Sequence, residues 1–206
     1  MLQLIEKGGP VMYPLLVCSL IVLTLVIERG LFWLTIEWRR RRSLVDEVLE
    51  LCRAGDWEAV RRKTTGCKDF VVRVLVSGIL HRDFSMLKAM EAAAADTVQR
   101  MRRFMGVLDT MITVAPLLGI LGTVTGIISS FDMLGSAGIE NPGLVTAGVA
   151  EALITTAFGL TIAILSVIPY NYFNARVERA VLDMEKYATS LEIVYEKMTH
   201  DSVPRP

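Results

Sequence analysis

Histidine is scarce and cysteine is unpatterned in this chain of 206 residues. There are two histidines, His81 and His200, and three cysteines, Cys18, Cys52 and Cys67. The cysteines form no CxxC pair and no Cys/His cluster at zinc spacing, which excludes the usual metal sites and leaves three unpaired, buried or reduced thiols. No nucleophile–base pair and no phosphate loop occurs, so the chain reads as a non-enzyme without a cofactor. Net charge is also absent, because 22 basic and 22 acidic residues cancel. The first apolar run lacks the marks of a cleaved leader. Glu6 offsets Lys7 in the segment before it, no A-x-A site follows, and Leu16-Val17 precede Cys18 where a lipoprotein signal needs a small residue. The run is read as a retained membrane helix.

Charge is missing from three long stretches, and those stretches define the fold. A spanning helix needs about 20 mostly apolar residues. Val11 to Ile27 carries no charge, and the helix continues past Glu28 and Arg29 to about Ile36. Thr110 to Phe131 is uncharged between Asp109 and Asp132, and from Ala147 to Pro169 the only charge is Glu151. The expected fold is an all-α integral membrane protein with three transmembrane helices, the second and third extending as long helices into a cytoplasmic helical region. The chain divides into an outer N-terminus and first span (1–36), a helical region (37–107), the second span (108–134), a short loop (135–146), the third span (147–173) and a helical tail (174–206).

Basic residues orient these spans. Fifteen Lys or Arg lie between Glu37 and Val107, beginning with Arg39 to Arg42, and five follow Asn174; none lies between Gly135 and Thr146. Basic loops mark the cytoplasmic side, so the N-terminus and the short loop are read as periplasmic and the C-terminus as cytoplasmic in a bacterial inner membrane. Arg39 to Arg42 abut a membrane helix, where lipid headgroups account for them better than nucleic acid does. Between Ser85 and Met105 the run is rich in Ala, Met, Glu and Arg, good helix formers, and nothing in it stops the helix before the second span. The third span continues as a helix through Val177, Val181, Met184, Ala188, Leu191 and Val194.

Plotted at 100° per residue, each of the last two spans has one small or polar stripe. On the third, Gly148, Ala152, Thr155, Thr156, Gly159, Ala163 and Ser166 fall within about 100°, with Glu151 at the edge. On the second, Ala115, Gly119, Gly122, Thr123, Gly126, Ser129 and Ser130 fall within about 120°. Such stripes let membrane helices pack closely, and that alone is one reading. The other is an ion path. Thr123 and Thr156 sit at similar depth, about 12–14 Å below the outer surface. Glu151 is a carboxylate in a membrane segment, which points to function unless it stays hydrated at the interface. Threonine hydroxyls can bind water or a hydrated ion, and the carboxylate can titrate with a pKa raised by burial. Neither stripe carries a charge at mid-membrane, so a proton path needs a carboxylate from another subunit. Asp132 is an interfacial anchor or part of the outer mouth, and Pro116 kinks the second span or is absorbed by packing.

Ala115-Pro116-Leu117-Leu118-Gly119-Ile120-Leu121-Gly122-Thr123-Val124-Thr125-Gly126-Ile127 is similar to the second-span motif of the MotA/TolQ/ExbB proton-channel family. Val149-Ala150-Glu151-Ala152-Leu153-Ile154-Thr155-Thr156-Ala157-Phe158-Gly159-Leu160 resembles the family's E-A-L-x-x-T-A-x-G-L pattern. Ile168-Pro169-Tyr170-Asn171-Tyr172-Phe173 resembles the end of its third span. Three spans fit the ExbB and TolQ branches better than the flagellar one, which has four. The resemblance implies a homopentamer around two copies of an ExbD/TolR-like single-span protein whose membrane carboxylate is protonated in turn, with a TonB/TolA-like protein as a further partner. Ion flow would drive mechanical work on the envelope, as in biopolymer transport. It assigns Thr123, Thr156 and Glu151 to the ion path, and Thr155 adds a hydroxyl that suits Na+ as the alternative to H+. Ala115, Gly119, Gly122, Gly126, Ala152, Gly159 and Ala163 become pore-lining or partner-packing positions. A passive membrane scaffold is the competing reading.

Overall fold

A computed structural model of the chain describes residues 9–137 and 142–201. The N-terminal segment through Gly8, residues 138–141 of the expected loop and the tail with Pro204 and Pro206 lie outside the described residues. Among the described residues there are seven α-helices and no strands: α1 (Met12–Arg39), α2 (Arg42–Arg53), α3 (Trp57–Thr64), α4 (Phe70–Leu80), α5 (Met86–Met101), α6 (Met105–Ala137) and α7 (Pro142–Asp201). Three of them, α1, α6 and α7, are long and apolar enough to cross a membrane. The all-α, three-span expectation therefore holds. Helix α7 is the longest at 60 residues, about 90 Å at 1.5 Å per residue. Pro116 and Pro169 lie inside α6 and α7, and neither ends its helix.

Two expectations about helix bounds change. Residues 135–137 and 142–146, read as loop, are helical. Pro142 opens α7, where its missing N–H costs nothing because the first-turn amides have no partner within the helix. The unbroken entry from α5 into α6 is interrupted at Arg102–Phe104, and Phe104 has φ +65°. No glycine or proline marks that break. A non-glycine residue in the left-handed region is held there by its surroundings, and the Arg29 guanidinium lies over the Phe104 ring at 5.7 Å.

The chain divides into two compact units. The first comprises residues 1–30 and 104–173. Its core gathers Met12, Leu15 and Val22 of α1, Ala115 of α6 and Ile162 of α7, flanked by Val11, Val26, Met111, Leu118, Ile154 and Phe158. The opposite faces are apolar and exposed: Val17, Leu20, Leu23 and Ile27 on α1, Leu117, Ile120, Leu121, Val124 and Ile128 on α6, Leu153, Leu160, Ile164 and Leu165 on α7. Apolar surface of that extent suits hydrocarbon, which leaves no drive to bury it within the chain.

The second unit comprises residues 31–103 and 174–206. Here α4 and α5 pair closely because Gly78 has no side chain: a Cβ there would lie 2.5 Å from Met90 Cγ. Val71, Val74 and Leu75 of α4 are buried, as are Val45 and Val48 of α2 and Val60 of α3, the apolar core of this unit. Asp69 caps α4 from a buried position. Its Oδ1 accepts from Val71 N at 2.8 Å and Val72 N at 3.4 Å, and its Oδ2 accepts from Arg41 N at 2.8 Å. Two amides of the α4 N-terminus and the Arg41 amide ahead of α2 satisfy a carboxylate that burial would otherwise penalise. Arg40 adds to this anchor, donating to Asp183 at 2.6 Å and stacking over Phe70 at 4.6 Å.

Candidate functional site

The small stripes of α6 and α7 face each other within one chain. Gly119, Gly122 and Gly126 of α6 are buried, as are Ala152, Thr155 and Gly159 of α7. Ala115 is fully buried, and Ala152 and Thr155 are each 1% exposed. A Cβ at Gly159 would lie 2.5 Å from the carbonyl oxygen of Ala115 and 3.1 Å from Gly119 Cα. At Gly122 it would strike Thr155 Cγ2, and at Gly126 it would lie 3.0 Å from Ala152 Cβ. These contacts run over two turns and more of both helices. The helices approach to backbone contact because the residues between them have little or no side chain.

Most of the positions expected to line a pore or pack against a partner are therefore occupied by in-chain packing. Thr155 belongs with them: its hydroxyl donates to Glu151 O at 3.0 Å on its own helix, and its methyl fills the space left by Gly122. Ala163 is half-buried at the edge of the zipper.

The other two threonines differ. Both Thr123 and Thr156 are half-buried. Thr123 donates to Ile120 O at 2.6 Å along its own helix, and Thr156 donates across to Gly119 O at 2.8 Å. The second bond joins α6 to α7 at the level where Gly119 and Gly159 touch. Each hydroxyl spends its single proton on a carbonyl and keeps lone pairs to accept from water or to ligate a cation. These two hydroxyls can therefore still accept a hydrogen bond or offer a lone pair. Among the described residues no group of three His, Cys, Asp or Glu is placed to hold a metal.

Glu151 is half-buried, one turn from Thr155. Its carboxylate lies against the backbone of Gly9, and a Cβ at Gly9 would collide with Oε1. Gly9 has φ +66°, so both its conformation and this contact call for glycine. Sequence reasoning singled out Glu151 but not the residue that makes room for it. The signal was the Gly8-Gly9-Pro10 stretch just before the first span. Ser130 also joins the zipper: fully buried, it donates to Gly126 O at 2.8 Å and abuts Gly148.

The segment that carries these residues is shared with known proteins. Residues 69–186 match the MotA/TolQ/ExbB proton channel family. A putative biopolymer transport protein of Synechocystis sp., ExbB-like 3, is 34% identical over 201 residues, covering 94% of each chain. The Tol-Pal system protein TolQ of Pseudomonas aeruginosa is 34% identical over 115 residues, 56% of this chain and 50% of that one. The biopolymer transport protein ExbB of Aquifex aeolicus is 42% identical over 79 residues, 38% of this chain and 53% of that one. With more than half of its length matched to the family and nearly all of it to one relative, this multi-pass membrane chain belongs to the MotA/TolQ/ExbB proton channel family.

Proposed function

We propose that the chain is the ion-conducting subunit of an ExbB/TolQ-type energy-transducing motor in a bacterial inner membrane. Five copies surround an ExbD/TolR-like dimer, and ion-motive force becomes mechanical work on the cell envelope, through a TonB/TolA-like protein in the biopolymer-transport case. The ion is H+, with Na+ as the alternative. The N-terminus is periplasmic, and residues 37–107 and 174–206 are cytoplasmic. The observation that carries this reading is the pair of half-buried hydroxyls, Thr123 and Thr156, flanking a zipper whose glycines are consumed in packing. Thr156 and Thr123 offer lone pairs to the ion, and Glu151 serves the outer end of the path. The partner supplies the carboxylate that is protonated in turn, since neither stripe carries one at mid-membrane.

The test is ion flux in vesicles holding this chain and a single-span partner. Thr156→Val removes the hydroxyl at nearly constant volume, and Thr156→Ser keeps it. Flux is expected to fall by up to about tenfold in the valine variant, the size of one lost hydrogen bond, and to persist in the serine variant, with native mass unchanged in both. Equal flux in all three proteins would remove Thr156 from the path.

One observation favours a passive scaffold instead: Gly119, Gly122, Gly126 and Gly159 are fully accounted for by contacts within the chain. That reading expects no flux with any partner, and both Thr156 variants would then differ only in stability.

A further inference from the structure

A second polar site lies where α1 ends. A cleft of about 290 Å³ is lined by Trp38, Arg39, Arg41, Lys63, Gly66 and Lys68 among others, and no carboxylate lines it. Lys63 pairs with Glu47. Arg39, Arg41 and Lys68 are exposed and form no ion pair among the described residues. The nearest buried acid, Asp69, already accepts from three amides and lies 3.9 Å from Arg40 Nε. Three positive charges, Arg39, Arg41 and Lys68, therefore line one open cleft with no ion-paired carboxylate among the described residues. The turn that closes it is fixed by Gly66 at φ +76° and by Cys67 N donating to Thr64 O at 3.0 Å.

Trp38 indicates where an anion would come from. Its side chain is 90% exposed beside the cleft, one residue before the end of α1. The 28 residues of α1 span about 42 Å, close to the thickness of a bilayer with its headgroups. An exposed indole next to unpaired cations at that distance matches the headgroup layer, where tryptophan is favoured.

We propose that this cleft binds the phosphate of an anionic phospholipid headgroup, with Arg39, Arg41 and Lys68 as its ligands and Trp38 resting in the headgroup layer. The site rests on α1 crossing the bilayer and is independent of the ion path.

The experiment uses the full chain in nanodiscs containing a minor fraction of brominated phosphatidylglycerol or brominated phosphatidylcholine. Quenching of Trp38 is taken as the difference from Trp38→Phe. Phosphatidylglycerol should quench several-fold more strongly. The triple variant Arg39→Gln/Arg41→Gln/Lys68→Gln should lose that preference, at about fivefold in local lipid enrichment per cation. Removing three exposed cations elsewhere (Arg53→Gln/Arg61→Gln/Lys88→Gln) should preserve it. Equal quenching by both lipids in the unaltered chain, or the same loss in the control triple variant, would overturn the site. Absence of quenching by either lipid would overturn the placement of α1 instead. Loss of the preference on adding inorganic phosphate, with chloride at equal ionic strength inert, would assign the cleft to soluble phosphate and overturn the lipid as its ligand.

Discussion

Gly159→Ala is the sharpest test of the zipper between α6 and α7. The added methyl carbon would lie 2.5 Å from Ala115 O, 3.1 Å from Gly119 Cα and 3.2 Å from Gly119 N. All three are backbone atoms of α6, so no side chain can rotate out of the way. Ordinary contact begins near 3.4 Å, and the helices must separate locally by about 1 Å, a typical overpacking cost of about 1–3 kcal/mol. The alanine also regains about 1 kcal/mol of intrinsic helix preference. A net loss of up to about 2 kcal/mol follows. Gly106 provides the control, since a Cβ there meets nothing within 4 Å. Gly106→Ala should gain the helix preference without the clash. The readout is thermal unfolding in one detergent, where Gly159→Ala should melt several degrees below Gly106→Ala. The separation should also stretch the bond from Thr156 to Gly119 O, so flux should fall with stability. A Gly159→Ala protein that melts with Gly106→Ala and conducts normally would refute the backbone contact.

Three further outcomes follow from the geometry. Phe104→Gly removes the cost of φ +65°, about 1 kcal/mol, while Phe104→Ala keeps the cost and loses the ring; the alanine variant should be the less stable of the two by about that amount in thermal melts. Asp69→Ala strips three amides of a buried acceptor and should cost about 2 kcal/mol, read as faster hydrogen exchange at Val71 and Val72. Burial pushes the Cys52 thiol up to about 11 from 9.0. Between those values the unfolded chain has released the proton and the folded chain retains it, so stability should fall as pH rises from 9 towards 11. In the same range Cys52 should alkylate far more slowly than the partly exposed Cys67, as mass spectrometry of a time course would record.

The spans were legible because hydrocarbon tolerates few charges, and the uncharged runs around Leu16, Leu121 and Leu160 have no other use. The small stripes were legible for the same geometric reason, a fixed 100° step. What the wheel cannot show is the neighbour. Gly122 and Gly126 pack on Thr155 and Ala152 of the same chain, and only the three-dimensional arrangement separates them from half-buried Thr123 and Thr156. The break after Met101 was hidden because Arg102, Arg103 and Phe104 have no helix-breaking chemistry; the ring of Phe104 under Arg29 belongs to tertiary structure. The early start of α7 was visible in principle, since proline favours the first helical position, but Asn141-Pro142-Gly143 reads more readily as a turn.

Gly9 and Glu151 are 142 positions apart in sequence and occupy one volume. Any side chain at residue 9 needs the space that the carboxylate fills, so neither position is free to drift alone. Relatives that carry a bulkier residue at the first position should carry a shorter one at the second, or a rebuilt entry to the first span. A chimera that joins one relative's first helix to another's third should fail wherever this pair is mismatched, even though each half is sound in its parent.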